Sequence, residues 1–349
     1  MKAIRLSVNL ESAEDLTVCA KSYHPTGLAI EFIDSLANAA LKGGEAHALL
    51  GPYGAGKSSL AAFALNQLSC PTSFFVPYRA RDSFPEESVV AKLLESGGLA
   101  PITVVGASES LAYRVTCAMS VFAQSMGMSL GESTLKPFAD LHSDNVTSEQ
   151  ALRLVVRTTQ EARRTGLAGV LLVIDEFGRH LDHMAATASD ADFHFLQSLA
   201  ELTGRTESPL SLLIIQHFGL EHYSRRFFGD RRVEWEKVRG RFRETILHNT
   251  ETDTAHIIAR ALQSLHQGDA EKLKFSKPAG SSPKLLQDSR FMAAASNCRP
   301  LHPMTIVLLS RLARLLGQQD RTVVGWLTSD LATGFDAQHR RAGDDWIYP

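Results

Sequence analysis

A short apolar run, a glycine-rich loop and an amphipathic helix follow one another in residues 47–69, HALLGPYGAGKSSLAAFALNQLS. The loop, Gly51 to Ser58, matches the pattern GxxxxGK[ST] in full and has the flanking strand and helix that the pattern needs. Its glycines let the backbone curl so that N–H groups face an anion, and the helix N-terminus adds partial positive charge. This segment predicts a phosphate-binding loop within an α/β fold.

The loop residues divide the binding of a nucleoside triphosphate and its Mg²⁺ ion between them. Lys57 is predicted to reach the β- and γ-phosphates, and the Ser58 hydroxyl is a predicted ligand of Mg²⁺. The residues predicted to bind the nucleotide in this segment are Gly51, Pro52, Tyr53, Gly54, Ala55, Gly56, Lys57, Ser58 and Ser59.

A second apolar strand, Val170–Ile174, is followed by two acids, Asp175 and Glu176. Ligands of open α/β sheets bind at the carboxyl ends of the strands, so these acids are expected at the same site. Asp175 is predicted to hold Mg²⁺ through water, and Glu176 to polarise the attacking water as a general base. A kinase would not need the second acid, whereas a hydrolase does.

A third strand, Ser211–Ile215, ends in Gln216 and His217. Beside a central Asp175, a polar residue at this strand end would lie near the γ-phosphate. Gln216 is predicted to orient the water or to sense hydrolysis, and His217 is the alternative. A solvent-exposed strand end without function is the third interpretation.

Strands and helices alternate up to about residue 250, and helices dominate afterwards, which predicts an α/β sheet domain followed by a helical subdomain. The segment between Lys57 and Asp175 is much longer than one strand and its helices require. The predicted organisation is an N-terminal segment 1–45, a P-loop core 46–250 containing a helical insertion at about 83–165, and a helical lid 251–349. The further strands are predicted at 71–80 and within 241–249.

Residues 225–243 are rich in arginine and contain Trp235. They favour either a nucleic-acid patch, in which the aromatic ring stacks on a base, or an arginine finger directed at a neighbouring subunit's γ-phosphate. A solvated charged helix is the alternative. Arg241 stands apart because it directly precedes a strand. Arg299 is predicted to open a helix of the lid and to reach back to the nucleotide, or to be exposed there.

Composition excludes several classes of protein. The chain has 36 Lys and Arg against 38 Asp and Glu, a formal net charge of -2, which excludes a generally basic nucleic-acid coat. The four cysteines form no CxxC pair, which argues against a disulfide scaffold or a zinc site. His180 and His183 share a helical face but lack a third metal ligand. With no signal peptide and no long apolar run, a cytoplasmic protein is expected.

The two motifs resemble Walker A (GPYGAGKS) and Walker B (VLLVIDE) of AAA+ ATPases, and GRFRETILHNTETDTAHIIARAL looks like the arginine–strand–lid junction of that family. The resemblance implies ATP and Mg²⁺ as ligands and a homo-oligomer in which Arg241 is the trans finger. It makes Gln216 or His217 the sensor 1 residue and Arg299 the sensor 2 candidate. The chain departs from the family pattern, because sensor 1 is usually Asn, Thr or Ser and the lid lacks Gly-x-x-Arg.

Four further segments, IDEFGRHLDH, IIQHFGLEHY, VEWEKVRGRF and RPLHPMTIVLLSRLARLLGQQDRTVVGWLTSD, resemble AAA+/STAND-like ATPases of prokaryotic anti-phage defence operons. In those proteins residues like Tyr23 to Gly27 precede the P-loop and contact the base, which makes Tyr23 a candidate. Members are usually much longer, so the resemblance implies an N-terminal fragment, truncated in the lid, or a short member.

The function predicted from these features is a Mg²⁺-dependent ATPase that couples its nucleotide state to oligomerisation and to a partner or effector, with no membrane contact. Two rival functions are a non-catalytic ATP-gated scaffold or nucleic-acid loader, and a P-loop small-molecule kinase. Hydrolysis that depends on Glu176 distinguishes the ATPase from the kinase, and salt-dependent DNA binding through residues 225–243 would favour the loader.

Overall fold

A computed structural model describes residues 8–69, 84–128, 146–187, 191–224, 230–265, 284–316, 326–327 and 335. These residues form two compact units. The sheet unit comprises residues 8–51 and 57–247, and the C-terminal unit comprises residues 52–56 together with the described residues from 248 onward. The strand predicted at 71–80 lies outside the described residues.

The sheet unit is built on a five-stranded sheet in the order β2-β3-β4-β1-β5, in which every neighbouring pair is parallel. Since parallel strands share one direction, all their carboxyl ends meet at a single edge of the sheet. The strands are β1 Ala46–Leu50, β2 Leu99–Val105, β3 Gly169–Asp175, β4 Leu210–Gln216 and β5 Phe242–Ile246.

Helices flank this sheet, and five of them follow a residue whose side chain caps the helix. Thr147, for example, accepts from the backbone N–H of Gln150, whose side chain in turn accepts from the backbone N–H of Thr147, a complete capping box. The helices of the sheet unit are α1 Ala13–Ser22, α2 Gly27–Ala40, α3 Lys57–Leu68, α4 Val89–Glu95, α5 Leu111–Ser125, α6 Ser148–Arg164, α7 Gly178–Thr187, α8 Ala191–Leu202, α9 Leu220–Ser224 and α10 Asp230–Arg239.

The core of the sheet unit lies on the central strands. Strands β1, β3 and β4 are buried along their whole length, as uninterrupted apolar runs predict for parallel strands that are covered on both faces. Helices α5 and α6 pack on the half of the sheet formed by β2 and β3, and α2 packs against β4. The α/β fold with a parallel sheet flanked by helices is therefore confirmed.

The N-terminal residues are part of this unit. Helix α1 packs on α3, and α2 packs on α3, α4 and β4, so residues 8–45 complete the sheet unit. The prediction treated residues 1–45 as a separate segment that merely leads to the loop, and it missed this packing.

The prediction of a helical insertion at 83–165 is wrong in one respect, because strand β2 lies within it and pairs with β3 from Leu99↔Gly169 to Val105↔Asp175. β2 contains Pro101, which has no backbone N–H to donate, and Pro101 is aligned with Leu171 of β3.

The described part of the C-terminal unit contains helices and no strand from residue 251 onward. Its helices are α11 Glu251–Leu265, a 3₁₀ turn Lys284–Gln287, α12 Ser289–Ala295 and α13 Pro303–Leu316. They share a core of their own, in which Phe291, Leu301 and Ile306 are fully buried. Among the described residues, no helix combines the length and the apolar character needed to cross a bilayer.

Candidate functional site

The glycine loop connects the end of β1, Leu50, to the start of α3, Lys57. Gly54 and Gly56 have φ angles of 73° and 86°, in the left-handed region that favours glycine. A Cβ at Gly51 would lie 2.7 Å from the carbonyl oxygen of Leu247, so no larger residue fits there without a backbone shift. These three positions therefore have backbone conformations and close contacts that favour glycine.

Lys57 is 4% exposed, and its ammonium group has two acceptors close by. Its Nζ donates to the Gly51 carbonyl oxygen at 2.7 Å and lies 3.0 Å from Nδ1 of His217. Burial lowers the pKa of Lys57 to about 8, although the nearby Asp175 carboxylate acts in the opposite direction. An ammonium group held in this way inside the protein is suited to binding an anion.

Asp175 ends β3 and is 6% exposed. Its carboxylate accepts from the backbone N–H of Glu176 at 2.8 Å and is hydrogen-bonded to the Ser58 side chain. Burial raises the pKa of Asp175, and these two hydrogen bonds and Lys57 offset part of the rise. The two predicted ligands of Mg²⁺, Ser58 and Asp175, are thus in direct contact.

Oxygen donors of this kind suit Mg²⁺, which usually takes one or two protein ligands and completes its shell with water and phosphate. No group of three or more His, Cys, Asp or Glu side chains that could hold a metal occurs among the described residues. Ser58 and Asp175 therefore fit a magnesium ion that is bound together with phosphate.

Glu176 has a φ of 49°, and it is the one described non-glycine residue with a positive φ. Its neighbours fix this conformation, since the Phe177 N–H donates to the Ile215 carbonyl at 3.0 Å and the Gly106 N–H donates to the Asp175 carbonyl at 2.8 Å. Strained backbone of this kind concentrates at functional sites. The Glu176 Oε2 forms an ion pair with the Nε of Arg179 at 2.9 Å, and both side chains are partly exposed.

Two residues that the sequence did not identify support Glu176. A Cβ at Gly106 would lie 2.2 Å from the Glu176 carbonyl oxygen, so the close approach of β2 to this turn requires glycine. Arg179 stands three residues after Glu176 in the first turn of α7. The three-residue spacing indicates from the sequence that Arg179 can pair with Glu176. The role of Gly106 can be recognised only when β2 is known to be a strand.

Gln216 is the last residue of β4, paired with Leu50 at the start of the glycine loop. It is 1% exposed, and neither its Oε1 nor its Nε2 has a hydrogen-bond partner in the described part of the chain. The next residue, His217, instead contacts Lys57. Burial, and then Lys57, lower the pKa of His217 to about 4. Both predicted candidates thus lie at the carboxyl edge of the sheet, with different surroundings.

Tyr23 and Cys19, which precede the glycine loop in the sequence, contact α3. The Tyr23 ring lies 4.9 Å from the ring of Phe63, in the second turn of α3. The Ser59 carbonyl accepts from the Sγ of Cys19 at 3.5 Å, and burial raises the pKa of that thiol to about 11. Tyr53, in the C-terminal unit, is 47% exposed.

Arg299 does not open a helix as predicted. It is exposed and lies in a turn, and α13 begins four residues later at Pro303. Its role as a sensor 2 residue remains a prediction.

Arg241 directly precedes β5, and the register Ala46↔Phe242 places it at the amino edge of the sheet. Its guanidinium donates to the Lys237 carbonyl at 2.7 Å and to the Glu201 carboxylate at 2.5 Å. The strand rise puts the carboxyl edge of β5 about 16 Å away, farther than an arginine side chain extends. Arg241 is therefore remote from Gly51 and Lys57 of its own chain.

Trp235 is not a stacking platform for bases. It is 0% exposed, its Nε1 donates to the Leu220 carbonyl at 2.8 Å, and its ring meets Phe193 edge-on. Its basic neighbours are paired as well, Lys237 with Glu234 and Arg239 with Glu221, Glu236 and Glu244. Arg225 and Arg226 lie outside the described residues. The buried Trp235 therefore does not supply the stacking contact that the nucleic-acid interpretation of residues 225–243 requires.

His180 is a core residue. It is 0% exposed, and its Nδ1 lies 3.1 Å from the Glu109 carbonyl oxygen, which the neutral ring can reach with an N–H. Burial lowers the pKa of its imidazole, which keeps the ring neutral.

The parallel sheet, the glycine loop between β1 and α3 and the acids at the end of β3 define an α/β P-loop NTPase fold. Among solved structures, the chain is similar to two of the ORC2 protein of Aeropyrum pernix, one of ADPNP-ADP complexes and one of the ADP form. Both have 12% sequence identity to this chain, and each comparison covers 94% of this chain and 68% of the ORC2 chain. The TM-scores are 0.46 and 0.43. No protein-family model matches the chain, and no curated protein does.

Proposed function

We propose that this chain is a Mg²⁺-dependent ATPase module. The observation that carries the proposal is the contact between Ser58 and Asp175 beside the buried Lys57 ammonium, at the edge of the sheet where the glycine loop begins. Nucleotide phosphates would bind the loop and Lys57. Mg²⁺, held by Ser58 and Asp175, would neutralise phosphate charge when bound. ATP rather than GTP is proposed because no NKxD motif is present.

The reaction is the displacement of ADP from the γ-phosphorus by water. The water oxygen forms a bond to the γ-phosphorus while the bond to the β–γ bridging oxygen breaks, and the proton of the water passes to the Glu176 carboxylate. Glu176 is suited to this role because it follows Asp175 directly and its carboxylate is partly exposed. The amide of Gln216, which has no hydrogen-bond partner among the described residues, would orient the water.

The proposal extends to assembly. Because Arg241 is remote from its own loop, it would complete the site of a neighbouring subunit in a homo-oligomer. Nucleotide state would then act on a partner or effector, in prokaryotic anti-phage defence within the cytoplasm. Arg299 and Tyr23 would contact the nucleotide from the lid and from the segment before the loop.

Glu176→Gln tests the hydrolytic step. The amide cannot accept a proton, so we expect turnover of Mg–ATP to fall at least about 100-fold while the ATP dissociation constant changes less than about threefold. Turnover is measured by phosphate release, and binding by calorimetry. Glu207→Gln, an exposed glutamate away from the loop, is the matched control and should retain full activity.

The other outcomes decide between the rivals. Unchanged turnover in Glu176→Gln would favour the P-loop kinase. ATP binding without turnover in the wild type would favour the non-catalytic scaffold or loader, and salt-dependent binding of DNA would then separate these two. No binding of any nucleotide would refute the proposal as a whole.

A further inference from the structure

The turn that carries Glu176 has a fixed backbone. Its φ of 49° lies in the left-handed region, and the Phe177 N–H donates to the Ile215 carbonyl at 3.0 Å, which ties the turn to β4. Gly178 begins α7, and a Cβ there would lie 2.4 Å from the Tyr223 hydroxyl oxygen, so α9 packs closely on the first turn of α7. The backbone of Glu176 and the start of α7 are therefore held in one place.

The side chain of Glu176 is less constrained than its backbone. It contains several rotatable bonds and is partly exposed, so a fixed backbone alone does not fix the position of the carboxylate. A general base must lie within about 3 Å of the group whose proton it takes. A second side chain is therefore needed to hold this carboxylate in place.

Arg179, in the first turn of α7, meets this requirement. Its Nε lies 2.9 Å from Oε2 of Glu176, and its backbone N–H donates to the Glu176 carbonyl oxygen at 3.0 Å. A carboxylate has two oxygens, so one can be held by the guanidinium while the other accepts a proton. The guanidinium itself stays protonated in proteins and cannot serve as the base.

The ion pair of Arg179 with Glu176 is a poor source of folding stability. The two side chains are 64% and 43% exposed, and ion pairs exposed to this extent contribute little to folding. Resting on the function proposed above, we propose that Arg179 is a positioning residue that holds the Glu176 carboxylate where it accepts the proton of the attacking water.

Arg179→Met tests the proposal, because it removes the guanidinium and keeps a long apolar stem. We expect kcat for Mg–ATP to fall about tenfold, since the base is no longer held in its productive position. The ATP dissociation constant should stay within about twofold. The midpoint of denaturant unfolding should not change. Arg179→Lys keeps a cation that can reach Oε2 and should restore about half of the wild-type kcat.

Arg164→Met is the matched control. Arg164 pairs with Glu161, three residues before it, at 3.3 Å and is 73% exposed, but it precedes β3 and so lies toward the amino edge of the sheet. Its replacement should leave turnover unchanged.

A second test combines Arg179→Met with Glu176→Gln in one chain. If Arg179 acts through the Glu176 carboxylate, its loss should lower the residual turnover of Glu176→Gln by less than about twofold. A structural role would lower turnover in both backgrounds alike. Turnover is measured by phosphate release, and binding by calorimetry with a non-hydrolysable ATP analogue.

Four results would overturn the proposal. They are wild-type kcat in Arg179→Met, a lower unfolding midpoint in that variant, weaker ATP binding at unchanged kcat, and a tenfold fall that recurs in the Glu176→Gln background. Each leaves the proposed ATPase function intact, because the wild type still hydrolyses ATP. Absence of turnover in the wild-type chain would refute that function together with this inference.

Discussion

Among single residues, Gln216 carries the largest unmet hydrogen-bonding requirement at the site. Its amide is 1% exposed, and both polar atoms lack partners within the described ranges. A buried unsatisfied polar group destabilises a protein by about 1–3 kcal/mol. We therefore expect Gln216 to destabilise the fold when no ligand is bound. Proteins tolerate such a cost where binding supplies the missing partner.

Gln216→Met should separate stability from function. Methionine has a similar length and no hydrogen-bonding requirement, so the free energy of unfolding of the nucleotide-free protein should rise by about 1–2 kcal/mol. ATP turnover should fall at the same time, because no amide is left to orient the water. Denaturant unfolding and phosphate release measure the two quantities.

Ser211→Ala is the control for this prediction. Ser211 lies on the same strand and is 2% exposed, and its hydroxyl has no partner in the part of the chain that the structure describes. It stands at the amino edge, away from the loop. Its replacement should leave turnover unchanged. A Gln216→Met variant that is less stable than the wild type would show that the amide has a partner in the nucleotide-free protein.

At Glu176 the energetic cost lies in the backbone conformation, whereas at Gln216 it lies in an unsatisfied side chain. A left-handed φ of 49° is strained for a side-chain-bearing residue, and the turn around it, closed by Gly106, leaves no freedom to relax. Glycine or asparagine would adopt this conformation more easily. A glutamate at this position is consistent with the need for a carboxylate beside Asp175.

At the scale of elements, strand β1 carries a buried histidine at its amino end. His47 is 0% exposed, and burial lowers its pKa to about 4. The Glu45 carboxylate, 3.3 Å from the Nε2 of His47, acts in the opposite direction, and Arg243 on β5 acts with burial. Burial is the largest effect, so the ring stays neutral at neutral pH.

This histidine predicts how stability depends on pH. Between pH 6.5 and about 4 the unfolded chain takes up a proton at His47 that the folded chain does not, so stability is full above pH 6.5 and falls toward pH 4. The loss from this residue is at most about 3 kcal/mol.

His47→Leu should remove that part of the decline, as measured by denaturant unfolding at a series of pH values. His194→Leu, an exposed control, should leave the decline as it is in the wild type. The His217 ring, whose pKa is also lowered to about 4, contributes a slope of the same sign that persists in His47→Leu. If His47→Leu keeps the full decline, His47 is not the proton acceptor.

Helix α10 shows how packing overrides composition. Its sequence is charged and contains an aromatic residue, the pattern of a nucleic-acid surface, yet Trp235 anchors the helix to the core through Phe193 and the Leu220 carbonyl. The exposed face is then a set of ion pairs such as Lys237 with Glu234, which contribute little individually.

At the scale of the whole molecule, the parallel direction of β1 and β5 places Arg241 at the amino edge of the sheet and the start of the glycine loop at the carboxyl edge. If Arg241 acts between subunits, specific ATPase activity should rise with protein concentration, and Arg241→Ala should lower turnover by about 10³-fold. Arg243→Ala removes a neighbouring arginine, whose ion pair with Glu45 is longer, at 3.9 Å, and should retain activity.

Glu201→Gln distinguishes a role of Arg241 in the ion pair within its own chain from a role at the site of a neighbouring subunit. It weakens the ion pair within the chain but keeps the guanidinium, so turnover should be retained if the trans role is correct. Specific activity that is flat in concentration, together with an active Arg241→Ala variant, would contradict the trans role.

Much of this molecule follows from local patterns in the sequence. The glycine loop and the strand that ends at Asp175 lie near their predicted bounds. Such features depend on backbone conformation and apolar continuity over a few residues, which the sequence displays directly. Strand β2 does not follow from such a local pattern, because it contains Pro101, a residue that is depleted in strands.

Other features were decided by the tertiary structure. The sequence placed Gln216 and His217 at one strand end but could not assign them. In the structure the Gln216 amide has no partner among the described residues, and His217 contacts Lys57, 160 residues away in the chain. The burial of Trp235 and the pairing of Arg241 with Glu201 are of the same kind. Contacts between residues distant in sequence depend on how whole elements pack, and no local pattern encodes them.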